Sequence, residues 1–177
     1  MASAFIRCDF LGSDKTMVIT EQETFEMKNV LSFRGKMTQN EIGQYGKMIE
    51  KVILENHVRK IGLPVTATFS GEQGKNGEAV IDIEFLIPVD KEIDNKNLTE
   101  GYSFKREIFL TNAVKLHHVG HPTKLQHSIN ELKKYITEHQ LVPITVGYNV
   151  TVYEPQTPLE MDQTEIDIYV GISPNRL

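Results

Sequence analysis

Four carboxylates in two short alternating runs are the side chains best placed to do chemistry. Asp82 and Glu84 lie within residues 79–89, and Glu165 and Asp167 within Glu165–Ile172. Successive side chains of a strand point to opposite faces. Ile81, Ile83, Phe85 and Ile87 therefore share one face, and Asp82, Glu84 and Leu86 the other. Glu165, Asp167 and Tyr169 separate from Ile166 and Ile168 in the same way. Such a row has two physical readings. It can hold a cation at a pocket, or it can be the wet side of a half-buried sheet, because a buried carboxylate without a partner is costly.

Other reactive groups carry less. His117, His118 and His121 offer nitrogen ligands, but His117 and His118 are strand neighbours and point apart. No cysteine pair or HExxH helix supports them. The expected role is surface or helix-end packing, and no metal or other cofactor is expected. Cys8 has no predictable basic partner to make it a nucleophile. Ser32, Ser70 and Ser128 sit in no G-x-S-x-G context. Gly71, Gly74 and Gly77 join two strands instead of opening a helix, so they are no phosphate cradle.

The elements that must position the acids follow from spacing. Residues 30–33 predict a short strand. Thr38-Gln39-Asn40-Glu41 has the form of a capping box, with the Thr38 hydroxyl accepting from the Glu41 N–H and the Glu41 side chain reaching back. Ile42, Tyr45, Ile49, Val52 and Ile53 follow at helical spacing. Gly62 and Pro64 predict a stop near residues 59–60. Strands are predicted at 65–69 and 79–89 around a glycine-rich hairpin loop at 71–77. After a polar connection at 90–100 the order recurs. A strand at 108–119 precedes a second capping box at Thr123. A helix stripe (Leu125, Ile129, Leu132, Ile136), a strand at 144–153, a loop holding Pro155 and Pro158, and the strand Glu165–Ile172 complete it. Residues 1–28 read as an N-terminal extension with short strands at 4–10 and 16–20.

The recurrence is an internal repeat. Gly35 and Thr38 match Gly120 and Thr123 at one common offset, and Leu63-Pro64-Val65-Thr66 matches Val142-Pro143-Ile144-Thr145. Ile81-Asp82-Ile83 matches Ile166-Asp167-Ile168, with the first helix expected to be the longer. The chain is thus expected to be α+β, a single domain at 29–177 made of two strand–helix–strand–strand modules, 29–90 and 103–177. Pairing them about a pseudo-twofold axis gives a mostly antiparallel sheet with the helices on one side. The other side, lined by the acids, is free to be concave.

Bulk composition narrows the function classes. The 177 residues carry 19 basic and 24 acidic side chains, a net charge of −5. No basic run exceeds two residues, which disfavours binding to a phosphate backbone. One cysteine excludes an intrachain disulfide and fits a reducing compartment. No secretory leader and no 18-residue apolar run is visible, so the cytoplasm is the expected location and no membrane contact is expected.

His118-Val119-Gly120 through Leu132, then Val152-Tyr153-Glu154-Pro155, then Glu165-Ile166-Asp167-Ile168-Tyr169-Val170-Gly171-Ile172 resemble the gyrase-inhibitor-like superfamily. That domain also serves as the effector-binding part of many AraC-type and MerR-type regulators. The resemblance covers roughly residues 29–172. It implies a pocket between the modules for small, often cationic or aromatic, ligands, with a last-strand carboxylate facing it. Asp167 matches that carboxylate, with Glu165, Tyr169 and Glu84 beside it. The family usually has Glu at that place and Pro at the place of Gly171. Its pocket often holds Trp, and with no Trp here Tyr148, Tyr153 and Tyr169 must supply the stacking. With about 28 residues before the first module, the expectation is a standalone version without a DNA-binding region.

Three functions compete. The first is binding or sequestering a small molecule. The second is a protein-interaction role, such as an inhibitor or antitoxin-like protein, with a protein partner or a homodimer. The third is hydrolysis of a small electrophile with Asp167 or Glu165 activating water. The unusual acid and the missing Trp argue against the third, and no catalytic residue is expected.

Overall fold

The computed structural model describes residues 17–74 and 77–174. The strand expected at 4–10 and Cys8 lie outside the described residues. The fold is α+β, with a mostly antiparallel sheet. Among the described residues, no helix is long and apolar enough to cross a membrane. Contacts divide the chain into two compact units, one over residues 26–109 and one joining 17–25 to 110–174.

In the unit over 26–109, β1 (Val18–Thr38) supplies residues 26–38. It is followed by α1 (Ile42–Glu55), β2 (Val65–Gln73) and β3 (Ala79–Pro88). β3 lies between the other two strands, with Phe85 opposite both Phe33 and Thr66. The stripe on α1 forms because Tyr45, Ile49, Val52 and Ile53 recur at helical spacing. It packs on Leu31, Phe33, Met37, Ile83 and Ile87, so one face of the sheet is sealed by the helix. Phe33 stacks against Tyr45 with centroids 5.1 Å apart.

The second unit repeats that element order. β4 (Tyr102–Val119) supplies residues 110–119, and α2 (Leu125–Glu138), β5 (Pro143–Tyr153) and β6 (Glu165–Ile172) follow. β6 lies between β4 and β5, with Ile168 opposite both Leu116 and Asn149. Leu132 and Ile136 of α2 pack on Val114, Leu116, Ile168, Val170 and Ile172. Each helix has 14 residues, so the expected length difference is absent. α1 stops at Glu55 and not near residue 60 because His57 turns left-handed (φ 53°) and the Val58 N–H returns to the Ile53 carbonyl at 3.2 Å. Gln140 (φ 52°) and the Leu141 N–H, bonded to Ile136 at 3.0 Å, end α2 in the same way. This is the Schellman arrangement, closed by an apolar residue beyond the turn.

Two further expectations need correction. β1 is one strand of 21 residues, not a short strand at 30–33, and it begins inside the segment read as an extension. The helix starts also differ. Glu41 does reach back to the Thr38 N–H, at 2.8 Å, but the Thr38 hydroxyl donates to the same carboxylate instead of capping Glu41. Thr123 sits inside a 3-10 turn, Pro122–Lys124, whose cap is His121, with its ring nitrogen accepting from the Thr123 N–H. Proline at the first position of that turn fixes its start and moves the cap two residues upstream, from Thr123 to His121.

Candidate ligand-binding site

The site is built on the face of β6 that α2 leaves uncovered. Ile166, Ile168, Val170 and Ile172 join the helix-side core, so alternation sends Glu165, Asp167, Tyr169 and Gly171 the other way. β4 behaves alike. Val114 and Leu116 join the core, and His118 meets Ser128 of α2 through Nδ1 at 2.8 Å. Lys115 and His117 are left on the Asp167 side. On β5, Tyr148 stands opposite Tyr169, Val150 opposite Asp167 and Tyr153 opposite Glu165.

Asp167 is the centre of this face. Its Oδ1 lies 2.6 Å from Nδ1 of His117, its cross-strand partner. Its Oδ2 accepts from the Tyr169 hydroxyl at 3.3 Å. The other ring nitrogen of His117 is 4.0 Å from a Glu165 oxygen. Lys115 and Glu23 form a looser pair at 3.9 Å. Phe25 of β1 supplies a wall, with its centroid 5.4 Å from Tyr148 and 5.1 Å from Tyr169. Burial, with the Asp167 charge and hydrogen bond adding to it, pushes the Tyr169 phenol up to about 12. Tyr169 therefore stays protonated at neutral pH and serves Asp167 as a donor.

The arrangement suits a flat cation. Aromatic faces attract cations, and a carboxylate beside them adds charge-assisted hydrogen bonding. Gly171, at the end of β6, sits where proline could not. Its N–H donates to Thr145 Oγ1 at 2.8 Å, and an added Cβ would lie 3.0 Å from Thr145 Cγ2. Proline would lose that donor.

Five of the six residues singled out in the sequence share this unit: Asp167, Glu165, Tyr169, Tyr148 and Tyr153. Glu84 lies on β3 of the other unit, only 7% exposed. The Ser32 hydroxyl and the Lys105 ammonium donate to it. Beside it Asp82 takes two hydrogen bonds from Arg34, at 3.0 and 2.8 Å. These hold the Asp82 carboxyl below the usual aspartate range. The Arg34 guanidinium rests 3.5 Å from the Phe69 ring centroid. The acids of β3 are thus already matched by cations from their own unit.

Phe25, Glu23 and the role of His117 escape the sequence reading. Met17 and Ile19 pack on the α2 side, whereas Glu23 and Phe25 stand on the Asp167 side, though all four are odd-numbered. The switch occurs at Gln22, whose left-handed backbone (φ 60°) breaks the alternation. Any period-2 reading across that residue puts Phe25 on the wrong face.

No family model matches the chain, and no curated protein matches it. Solved structures do. The EcmrR–DNA complex in EcmrR-RPo matches with a TM-score of 0.65 at 14% identity, over 89% of this chain. This chain spans 57% of the length of EcmrR in that complex. The EcmrR C-terminal domain crystallised alone matches with a TM-score of 0.59 at 14% identity, over 86% of this chain and 98% of that one. A hydrolase from Listeria innocua matches with a TM-score of 0.54 at 12% identity, over 92% and 94% of the two chains. At these identities the likeness establishes a shared fold: this chain folds like the EcmrR C-terminal domain.

Proposed function

We propose that this chain is a gyrase-inhibitor-like domain that binds a small flat cation on the Asp167 face and is not an enzyme. One observation carries the reading: a carboxylate held by His117 and Tyr169 beside the Phe25, Tyr148 and Tyr169 rings. The fold shared with the C-terminal part of a protein solved on DNA supports a regulator-type binding module. We further read the two units as copies of one module, because each orders strand, helix, strand and strand with its third strand central.

The test compares N-methylquinolinium, a permanent flat cation, with naphthoate, an anion of similar size. The cation raises the melting temperature by mass action, and Asp167→Asn removes most of that rise. Equal stabilisation by naphthoate, or an Asp167→Asn protein that still binds the cation, refutes the site. Since a hydrolase shares the fold, the mixtures are also analysed for product, and turnover of the probe overturns the non-catalytic reading. A protein-interaction role is the second reading, favoured by the exposed side chains of Val142, Ile144 and Val152 on and beside β5. It takes precedence if neither probe binds.

A further inference from the structure

His117 occupies the place where an incoming cation has to sit. One ring nitrogen is 2.6 Å from Asp167 and the other 4.0 Å from Glu165. A doubly protonated ring carries a full positive charge, so charged His117 is a resident cation, hydrogen-bonded to Asp167 and within ion-pair range of Glu165. The titratable groups around it are Asp167, Glu165 and Tyr169 on β6, Lys115 on β4 with its partner Glu23 on β1, and Tyr153 opposite Glu165 on β5. His118 lies on the reverse face of β4 against Ser128. With His117 charged, Glu23, Glu165 and Asp167 face two cations. With it neutral, they face Lys115 alone among the described residues.

We propose that the Asp167 face takes a cationic ligand in exchange for the proton on His117, so that cation affinity rises with pH while the affinity for a neutral ring of the same shape does not. The proposal rests on the reading of this face as a cation site. Among the side-chain types present, histidine is the one that ordinarily titrates between pH 5 and 8. His118, the other imidazole near the site, is separated from the ligand by the sheet. Because the exchange is one for one, linkage sets its ceiling at about tenfold in affinity per pH unit.

Calorimetric titrations of the full chain between pH 5.5 and pH 7.5 test this, with N-methylquinolinium and the neutral bicycle coumarin as probes. The cation is expected to bind more tightly as pH rises, up to about tenfold per unit. Buffers of different ionisation enthalpy are expected to show up to one proton released per cation bound. Coumarin affinity is expected to stay flat. His117→Asn keeps a donor near the Nδ1 position but cannot carry the charge, and its cation affinity is expected to lose the pH slope. A flat profile for the wild-type protein, or the same slope in His117→Asn, overturns the exchange while leaving the cation site standing. Failure of N-methylquinolinium to bind at any pH overturns both. Proton release is read on the wild-type protein, so the exchange stands or falls even if the variant fails to fold.

Discussion

Glu84 and Asp167 occupy matching places in their units, and the structure uses them in opposite ways. Each stands on the central strand, on the face turned from the helix, opposite a basic residue of the preceding long strand: Arg34 for Glu84, His117 for Asp167. Arg34 turns to Asp82, and Glu84 is closed off by Ser32 and Lys105. Asp167 instead keeps a titratable partner and a set of rings. A lysine or arginine neutralises an acid at every physiological pH, whereas a histidine does so conditionally. One acid is therefore committed to the fold, and the other is the one the proposed cation site draws on.

The largest expected effect tests the wall of the site. Phe25→Ala removes a buried ring and should cost about 3 kcal/mol in urea unfolding, with N-methylquinolinium binding weakened in parallel. A loss under about 1 kcal/mol would mean that the aromatic group is not packed as described.

The next pair sharpens the contrast directly. Lys105→Met leaves the buried Glu84 carboxylate with Ser32 alone and should destabilise the protein by about 2 kcal/mol without altering cation binding. Asp167→Asn should cost less than about 1 kcal/mol of stability while weakening cation binding at least about tenfold. Similar behaviour of the two variants in both assays would dissolve the distinction.

The reverse face of β4 gives a pH prediction. His118 is 4% exposed, and burial lowers its pKa, so protons favour the unfolded chain. Stability is then complete above the ordinary imidazole value of about 6.5 and falls as pH drops below it, by at most about 1.4 kcal/mol per unit. Urea midpoints measured from pH 7.5 down to 5.5 should decline, and His118→Gln should flatten that decline. The smallest effects compare the two helix starts. Glu41→Ala removes the acceptor of two hydrogen bonds and should cost about 0.5–1 kcal/mol. Thr123→Ala, at a residue that caps nothing, should change stability by less than about 0.5 kcal/mol.

Much of the frame was legible because it depends on local periodicity. The acid and isoleucine alternation of β3 and β6 fixes which residues face the helices, and it holds without exception from Ile166 to Ile172. The helix stripes were legible for the same reason. Their ends were not, because a left-handed residue such as His57 or Gln140 carries no glycine to announce it. The capping boxes misled because the pattern at Thr123 is shared with a proline-led 3-10 turn.

The amino-acid sequence by itself determined the α+β class, the order of strands and helices, and which side chains of each strand share a face. Each follows from spacing along a single strand or helix. Only the tertiary structure decided the chemistry of the acids. The partners of Asp167 and Glu84 are 50 and 52 residues away in His117 and Ser32, and pairing at that range is set by strand register, which no local period encodes. The same holds for Phe25, which reaches the Tyr148 and Tyr169 rings only because the backbone reverses its facing at Gln22.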